Sequence, residues 1–165
     1  MANRSSSNYP GIGDTGEELV AQWLESTGWT ILHRQWSCRW GEIDIIAEYV
    51  GKQQSEAQLR FVEVKTRNRG NWDRGGRDAI THQKKEKIWR TAQMFLAKHP
   101  QKVNYQCQFD VAIVQYCNHD DDLQENQIHH SLILPKVSDK FMGSLLTEKY
   151  QFSLQDYIQG AFEFS

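Results

Sequence analysis

The sequence predicts a single α/β domain, and three observations predict it. Segments of helical and strand-like apolar patterning follow one another in the order helix, strand, strand, strand, helix, strand. The chain has 165 residues, 39% of them hydrophobic and 12% aromatic. That is enough for one domain with a substantial core, and it excludes a wholly disordered chain. Finally, two of the strand-like segments carry carboxylates and an ammonium group inside apolar, β-branched runs, where a purely structural sheet would avoid them.

The elements follow in chain order. Residues 1–12 are polar and Ser-rich and read as a loose tail. The first helix starts near Asp14, where Asp14-Thr15-Gly16-Glu17 fits a capping box, and runs to about Thr27, with Gly28 as its stop. Leu19, Val20, Ala21, Trp23 and Leu24 supply its apolar side. Glu17 lies at helical spacing from Val20, Ala21 and Leu24. It is either a capping glutamate or an inward carboxylate facing the sheet. Strands are expected over 29–36, 41–49 and 59–66, with a turn at 37–40 carrying Arg39 and a polar hairpin loop over 50–58.

The loop over 67–77 holds Arg67, Arg69, Arg74 and Arg77 among glycines, with Trp72. It is too polar to pack and suited to gripping phosphates. A second helix begins at Asp78 or Thr81 and runs to Lys98. Ile80, Ile88, Ala92, Phe95 and Leu96 face inward; Lys84, Lys85, Lys87 and Arg90 face outward; His99-Pro100 ends it. Gln83 sits in the first turns, where a lone glutamine is ordinarily a surface residue. The strand over 106–115 carries Asp110, whose ordinary role would be a salt bridge to a neighbouring Lys or Arg.

Beyond it, Asp120, Asp121 and Asp122 lack the regular spacing of a calcium loop and read as a solvated turn. A fifth strand is expected over 127–134; its adjacent His129 and His130 point to opposite faces and make a poor metal pair. Residues 136–165 form a weakly specified extension, docked through Phe152, Tyr157, Phe162 and Phe164, and Ser153-Leu154-Gln155-Asp156 resembles a helix start. The organisation is therefore a tail over 1–12, a domain over 13–135 and an extension over 136–165.

The bulk numbers narrow the function. No apolar run approaches a membrane span. Residues 1–10 lack the apolar core of a signal peptide. The expectation is a cytoplasmic protein with no membrane partner. Cys38, Cys107 and Cys117 are far apart and odd in number, with neither zinc spacing nor a disulfide framework. The net charge of −2 hides an asymmetry: residues 60–102 hold 12 Lys/Arg against 4 Asp/Glu, a balance of +8, and the remainder carries −10. A basic block beside carboxylates suits a polyanion such as nucleic acid, although a charge run alone is more often a solvated helix face.

The chemistry concentrates in Gly41-Glu42-Ile43-Asp44-Ile45-Ile46-Ala47 and Phe61-Val62-Glu63-Val64-Lys65-Thr66-Arg67. Strict alternation places Glu42, Asp44 and Ile46 on one face, and likewise Phe61, Glu63 and Lys65. Ile43, Ile45, Val62 and Val64 would then fill the opposite face. If the strands pair, Asp44, Glu63 and Lys65 converge. Such a group is costly unless paired or bound to a metal. Carboxylate oxygens suit magnesium or manganese. A metal held there would activate an attacking water and neutralise charge on phosphate, with Lys65 orienting that water or stabilising the transition state.

Asp44, followed after a hairpin by Glu63-Val64-Lys65, resembles the PD-(D/E)XK pattern of the restriction-endonuclease-like nucleases. Gly16-Glu17, the two blocks quoted above and Phe109-Asp110-Val111 together resemble the YraN-like family within that superfamily, over residues 13–115. A bare Asp…Glu-x-Lys is a weak motif; the two long blocks in order are strong. The resemblance implies a restriction-endonuclease-like core with a mixed central sheet flanked by helices. It implies Asp44 and Glu63 as metal ligands, with the Val64 carbonyl as a third, Lys65 as the catalytic lysine and Glu17 as a further acidic residue near a Mg2+ or Mn2+ ion. Gln83 matches loosely a polar helix-two position of junction-resolving nucleases. Ile43 stands where the superfamily's name has proline.

The expected activity is metal-dependent hydrolysis of phosphodiester bonds in DNA, with branched or damaged DNA as the substrate class. Arg67, Arg69, Arg74, Arg77, Gln83 and Lys84 are the expected nucleic-acid contacts. A homodimer would suit paired cuts across two strands. The competing readings are a nucleic-acid-binding protein that keeps the nuclease fold without turnover, and an α/β domain whose Asp44, Glu63 and Lys65 form an ion-pair network with no further role.

Overall fold

The structure is a computed structural model that describes residues 11–52, 56–69, 80–118 and 143–163. Its elements are α1 (Ile12–Ser26), β1 (Thr30–Cys38), β2 (Gly41–Tyr49), β3 (Gln58–Asn68), α2 (His82–Lys98), β4 (Gln106–Asn118), β5 (Ser144–Leu146) and β6 (Tyr150–Phe162). A single sheet runs in the order β1-β2-β3-β4-β6-β5. The β3–β4 pair is parallel and the other pairs are antiparallel. This is the expected mixed sheet flanked by helices, consistent with a restriction-endonuclease-like core.

The helices cover opposite faces. Leu19, Val20, Ala21 and Leu24 of α1 pack on Ile45, Ala47, Val62, Ala112, Val114, Phe152 and Leu154. Ile88, Ala92 and Phe95 of α2 pack on Ile43, Ile46, Leu59, Phe61, Val111 and Phe162. Burying apolar faces on both sides of a central sheet is what fixes the register of its strands.

Four expectations are corrected. First, α1 starts at Ile12 with Gly11 as its N-cap. Asp14 is not the cap; its carboxylate reaches back to accept the Gly11 N–H at 3.1 Å, so Glu17 has no capping duty. Second, strict alternation fails in β2: Ile43 packs with Ile46 on the α2 side, while Ile45 faces α1. The cause is local. The β2–β3 ladder runs from Tyr49–Gln58 to Ile45–Val62 and stops there, so the strands part just where Asp44 and Glu63 begin. Third, the helix-like start at Ser153 lies inside β6, whose Leu154 pairs with Val114; its alternating apolar residues found a sheet partner, and pairing overrode the local cap signal. Fourth, β4 continues to Asn118.

The strand expected over 127–134, with His129 and His130, lies outside the described residues, as do Asp120, Asp121, Asp122 and Phe164. Among the described residues no helix is long and apolar enough to cross a membrane.

On the interior strand β4, level with Val62 of β3, Asp110 is fully buried. Three residues of β6 bulge opposite it, between the Phe109–Phe162 and Val111–Ile158 pairs. Its carboxylate accepts the Gly160 N–H at 2.9 Å and the Tyr157 hydroxyl at 2.8 Å, with Arg60 Nε at 3.6 Å. The salt bridge read from sequence is present, within a larger staple.

Candidate active site

Where β2 and β3 part, the Val64 amide has lost its partner strand, and Asp44 takes over as acceptor: Val64 N–H donates to Asp44 Oδ2 at 2.7 Å. A backbone bond of the ladder is thereby exchanged for one to a carboxylate. Asp44 and Glu63 are both buried, at 9% and 4% exposure. On Glu63, Oε1 accepts Lys65 Nζ at 2.8 Å and Lys84 Nζ at 3.1 Å. Its other oxygen, Oε2, is buried with no hydrogen-bond partner. A buried carboxylate oxygen left bare is costly and marks a place built for something more.

The electrostatics agree. Burial, then the charge of Glu63, raise the Asp44 pKa to about 7; the Val64 N–H opposes this, Glu17 adds to the rise, and Lys84 also opposes it. Burial raises the Glu17 pKa as well, against a hydrogen bond from Gln35 and the charge of Arg34, while Asp14 and Glu42 push it further up. At both carboxylates burial is the leading cause, so each holds its proton more tightly than it would in water.

The structure thus brings Asp44, Glu63, Lys65 and Lys84 together. Glu17 lies within electrostatic reach of Asp44, but its carboxylate is held from the other side: Gln35 Nε2 donates to Glu17 Oε2 at 3.0 Å and to Asp14 Oδ1 at 3.1 Å. Among the described residues no three His, Cys, Asp or Glu side chains stand close enough to share one metal ion. Helix α1 reaches the site through Gly16, where a Cβ would lie 2.0 Å from Thr66 Oγ1. Only glycine permits that approach, and it sets Glu17 over the sheet.

Four of the expected nucleic-acid contacts fall on described residues. Lys84 is not a free surface cation: it binds Glu63. Gln83, one position earlier, is exposed in the first turn of α2. Arg67 is half-buried on β3 beyond Lys65, and Arg69 is exposed, its N–H bonded to the Tyr116 carbonyl at 2.9 Å. Arg74 and Arg77 lie outside the described residues.

Gln35, and the pairing of Lys84 with Glu63, escaped the sequence reading. Gln35 sits at φ +50°, strained for a non-glycine, and nothing in its neighbours announces that. Lys84 did leave a signal. Thr81 caps α2, its Oγ1 accepting Lys84 N–H at 3.2 Å. The first turn has no acidic residue. A lysine at a helix N-terminus opposes the macrodipole, and the buried Glu63 is what repays it.

The model of the family described as "Uncharacterised protein family UPF0102" matches residues 16–114. The chain belongs to the UPF0102 family. This is the YraN-like family that the sequence blocks resemble, a member of the nuclease-like superfamily. The chain is 54% identical over 153 residues to a UPF0102 protein of Trichormus variabilis, covering 92% of this chain and 94% of the relative. It is 53% identical over 152 residues to one of a Nostoc species, with the same coverage. A third, from Acaryochloris marina, is 47% identical over 163 residues, covering 97% and 94%. The match spans Glu17, Asp44, Glu63, Lys65 and Lys84, so the whole candidate site lies inside the family's shared core.

Proposed function

We propose that this UPF0102 chain is a divalent-metal-dependent endonuclease that hydrolyses phosphodiester bonds in DNA. One observation carries the reading: two buried carboxylates converge where β2 and β3 part, and Glu63 presents a buried, unpartnered oxygen beside them. That donor set fits Mg2+ or Mn2+, which one or two carboxylates, a carbonyl and waters normally hold. Asp44, Glu63 and the Val64 carbonyl would bind the ion, with Glu17 behind them. When bound, it supplies charge neutralisation at phosphate and a more acidic water.

The chain's own groups do the rest. Lys65, oriented by Glu63 Oε1, holds the attacking water and stabilises the charge that develops on the phosphate. Lys84 shares that oxygen and is a second cation at the same point. A second reading, nucleic-acid binding without turnover, is favoured by this sharing, because two ammonium groups already offset Glu63 without a metal.

The test is cleavage of labelled single-stranded, duplex, flap and four-way-junction DNA, and of RNA, with Mg2+, Mn2+ or chelator. Cutting that needs the metal and is lost in Asp44→Ala, Glu63→Ala and Lys65→Ala is expected. Binding without cutting would leave the second reading, and full activity in any of the three variants would refute the role assigned to that residue.

A further inference from the structure

The turn between β1 and β2 presents Trp40 to solvent, at 36% exposure. Two guanidinium groups lie against its ring: Arg39 with Cζ 4.9 Å from the centroid, and Arg90 of α2 at 4.8 Å. The turn is fixed in place. Trp40 N–H donates to Cys38 Sγ at 3.4 Å, and Cys38 Sγ meets Thr91 Oγ1 at 3.8 Å. Gly41, at φ +153°, follows the turn and packs beside Lys87 and Thr91 of α2, where a Cβ would make ordinary contacts at 3.5 Å. A rigid aromatic ring is thus held at the surface, with cations around it, on the α2 face.

Helix α2 connects this cluster to the candidate site. Lys84, on Glu63, and Arg90, over Trp40, both belong to it, with the exposed Lys87 between them. A purely solubilising surface has no use for a tryptophan clasped by two arginines. Arg90 also pairs with Glu86 at 2.5 Å, whereas Arg39 makes no ion pair among the described residues.

We infer that Trp40, with Arg39 and Arg90, is a stacking platform for an unpaired nucleobase of a strand that reaches the candidate site. The inference rests on the nuclease reading and names its substrate class: nucleic acid with a single-stranded stretch beside the cut. The basic groups of α2 and of the turn suit the polyanionic backbone, and an aromatic ring can only take a base whose face is free. A base arriving on the ring displaces the Arg39 guanidinium, which then meets a flanking phosphate. Duplex DNA offers this turn only backbone and groove edges.

The experiment is equilibrium binding by fluorescence anisotropy, in chelator so that nothing is cut. The probes are a dye-labelled single-stranded oligonucleotide and a blunt duplex of the same sequence, each titrated with the full chain, Trp40→Ala and Trp40→Phe. Loss of one stacked base weakens binding roughly tenfold. Trp40→Ala is therefore expected to lose about that factor on the single strand and less than about twofold on the duplex, with Trp40→Phe keeping most of the affinity. Equal losses on both probes, or none on either, would overturn the platform and leave the nuclease reading standing, since that reading is judged by cleavage in the Lys65→Ala comparison. An unmodified chain that bound neither probe would likewise overturn the platform, with the nuclease reading still decided by cleavage.

Discussion

Replacing Asp44 by Asn should stabilise the metal-free protein at neutral pH. Asparagine keeps the oxygen that accepts the Val64 N–H and removes the charge. The folded Asp44 pKa, about 7 against an ordinary 3.8, makes the folded state hold a proton that the unfolded state releases. The stability this contributes is fully present below about pH 4 and is lost as pH rises through about 7. A gap of about three pH units, at about 1.4 kcal/mol each, is worth ~4 kcal/mol.

The assay is urea unfolding at intervals from pH 4.5 to pH 8 in chelator. The unmodified chain should lose several kcal/mol across that range, and Asp44→Asn should lose much less, overtaking it near neutrality. Millimolar Mg2+ or Mn2+ should restore the unmodified chain at pH 8 by mass action and leave the variant nearly unmoved. An Asp44→Asn variant with an undiminished pH slope would refute the claim that burial and the charge of Glu63 load this carboxylate. An unmodified chain indifferent to both ions at pH 8 would count against the metal.

Three further outcomes are expected. Lys84→Met removes a cation that opposes the rise of the Asp44 pKa, so the stability loss with pH should shift to higher pH; an unchanged profile would mean that Lys84 does not act on Asp44. Gly16→Ala should cost about 1–3 kcal/mol in denaturant unfolding, because the new Cβ meets Thr66 Oγ1 at 2.0 Å, and adding Thr66→Ala should recover most of it; failure of that rescue would place the strain elsewhere. Asp110→Ala should cost about 3 kcal/mol by stranding the Tyr157 hydroxyl, the Gly160 N–H and Arg60, and Tyr157→Phe about 1 kcal/mol, both measured by thermal unfolding.

What the sequence disclosed and what it hid divide along a physical line. Both helices and the first four strands were legible because each buries a face with its own period: Leu19, Val20 and Leu24 in α1, and Ile45, Val62 and Val114 against them in the sheet. The meeting of Asp44, Glu63 and Lys65 was legible for the opposite reason, since charge inside such strands is expensive enough to be conspicuous. Strand β6 was not, because Ser153 and Asp156 are good helix-capping residues and only pairing with β4 decides against a helix.

The turning inward of Lys84 was half legible, as a cation at the wrong end of a helix. Gln35 was not legible at all. Its positive φ and its bridge from Asp14 to Glu17 belong to the edge strand β1, and no local sequence pattern encodes either. The parting of β2 from β3 belongs to the same class. Alternation predicts that Asp44 and Glu63 face one another across a continuous ladder. The ladder instead ends one residue before them, and it is that ending which turns two strand carboxylates into a site, since an intact pair of strands would have given Val64 N–H a backbone partner and left Asp44 nothing to hold.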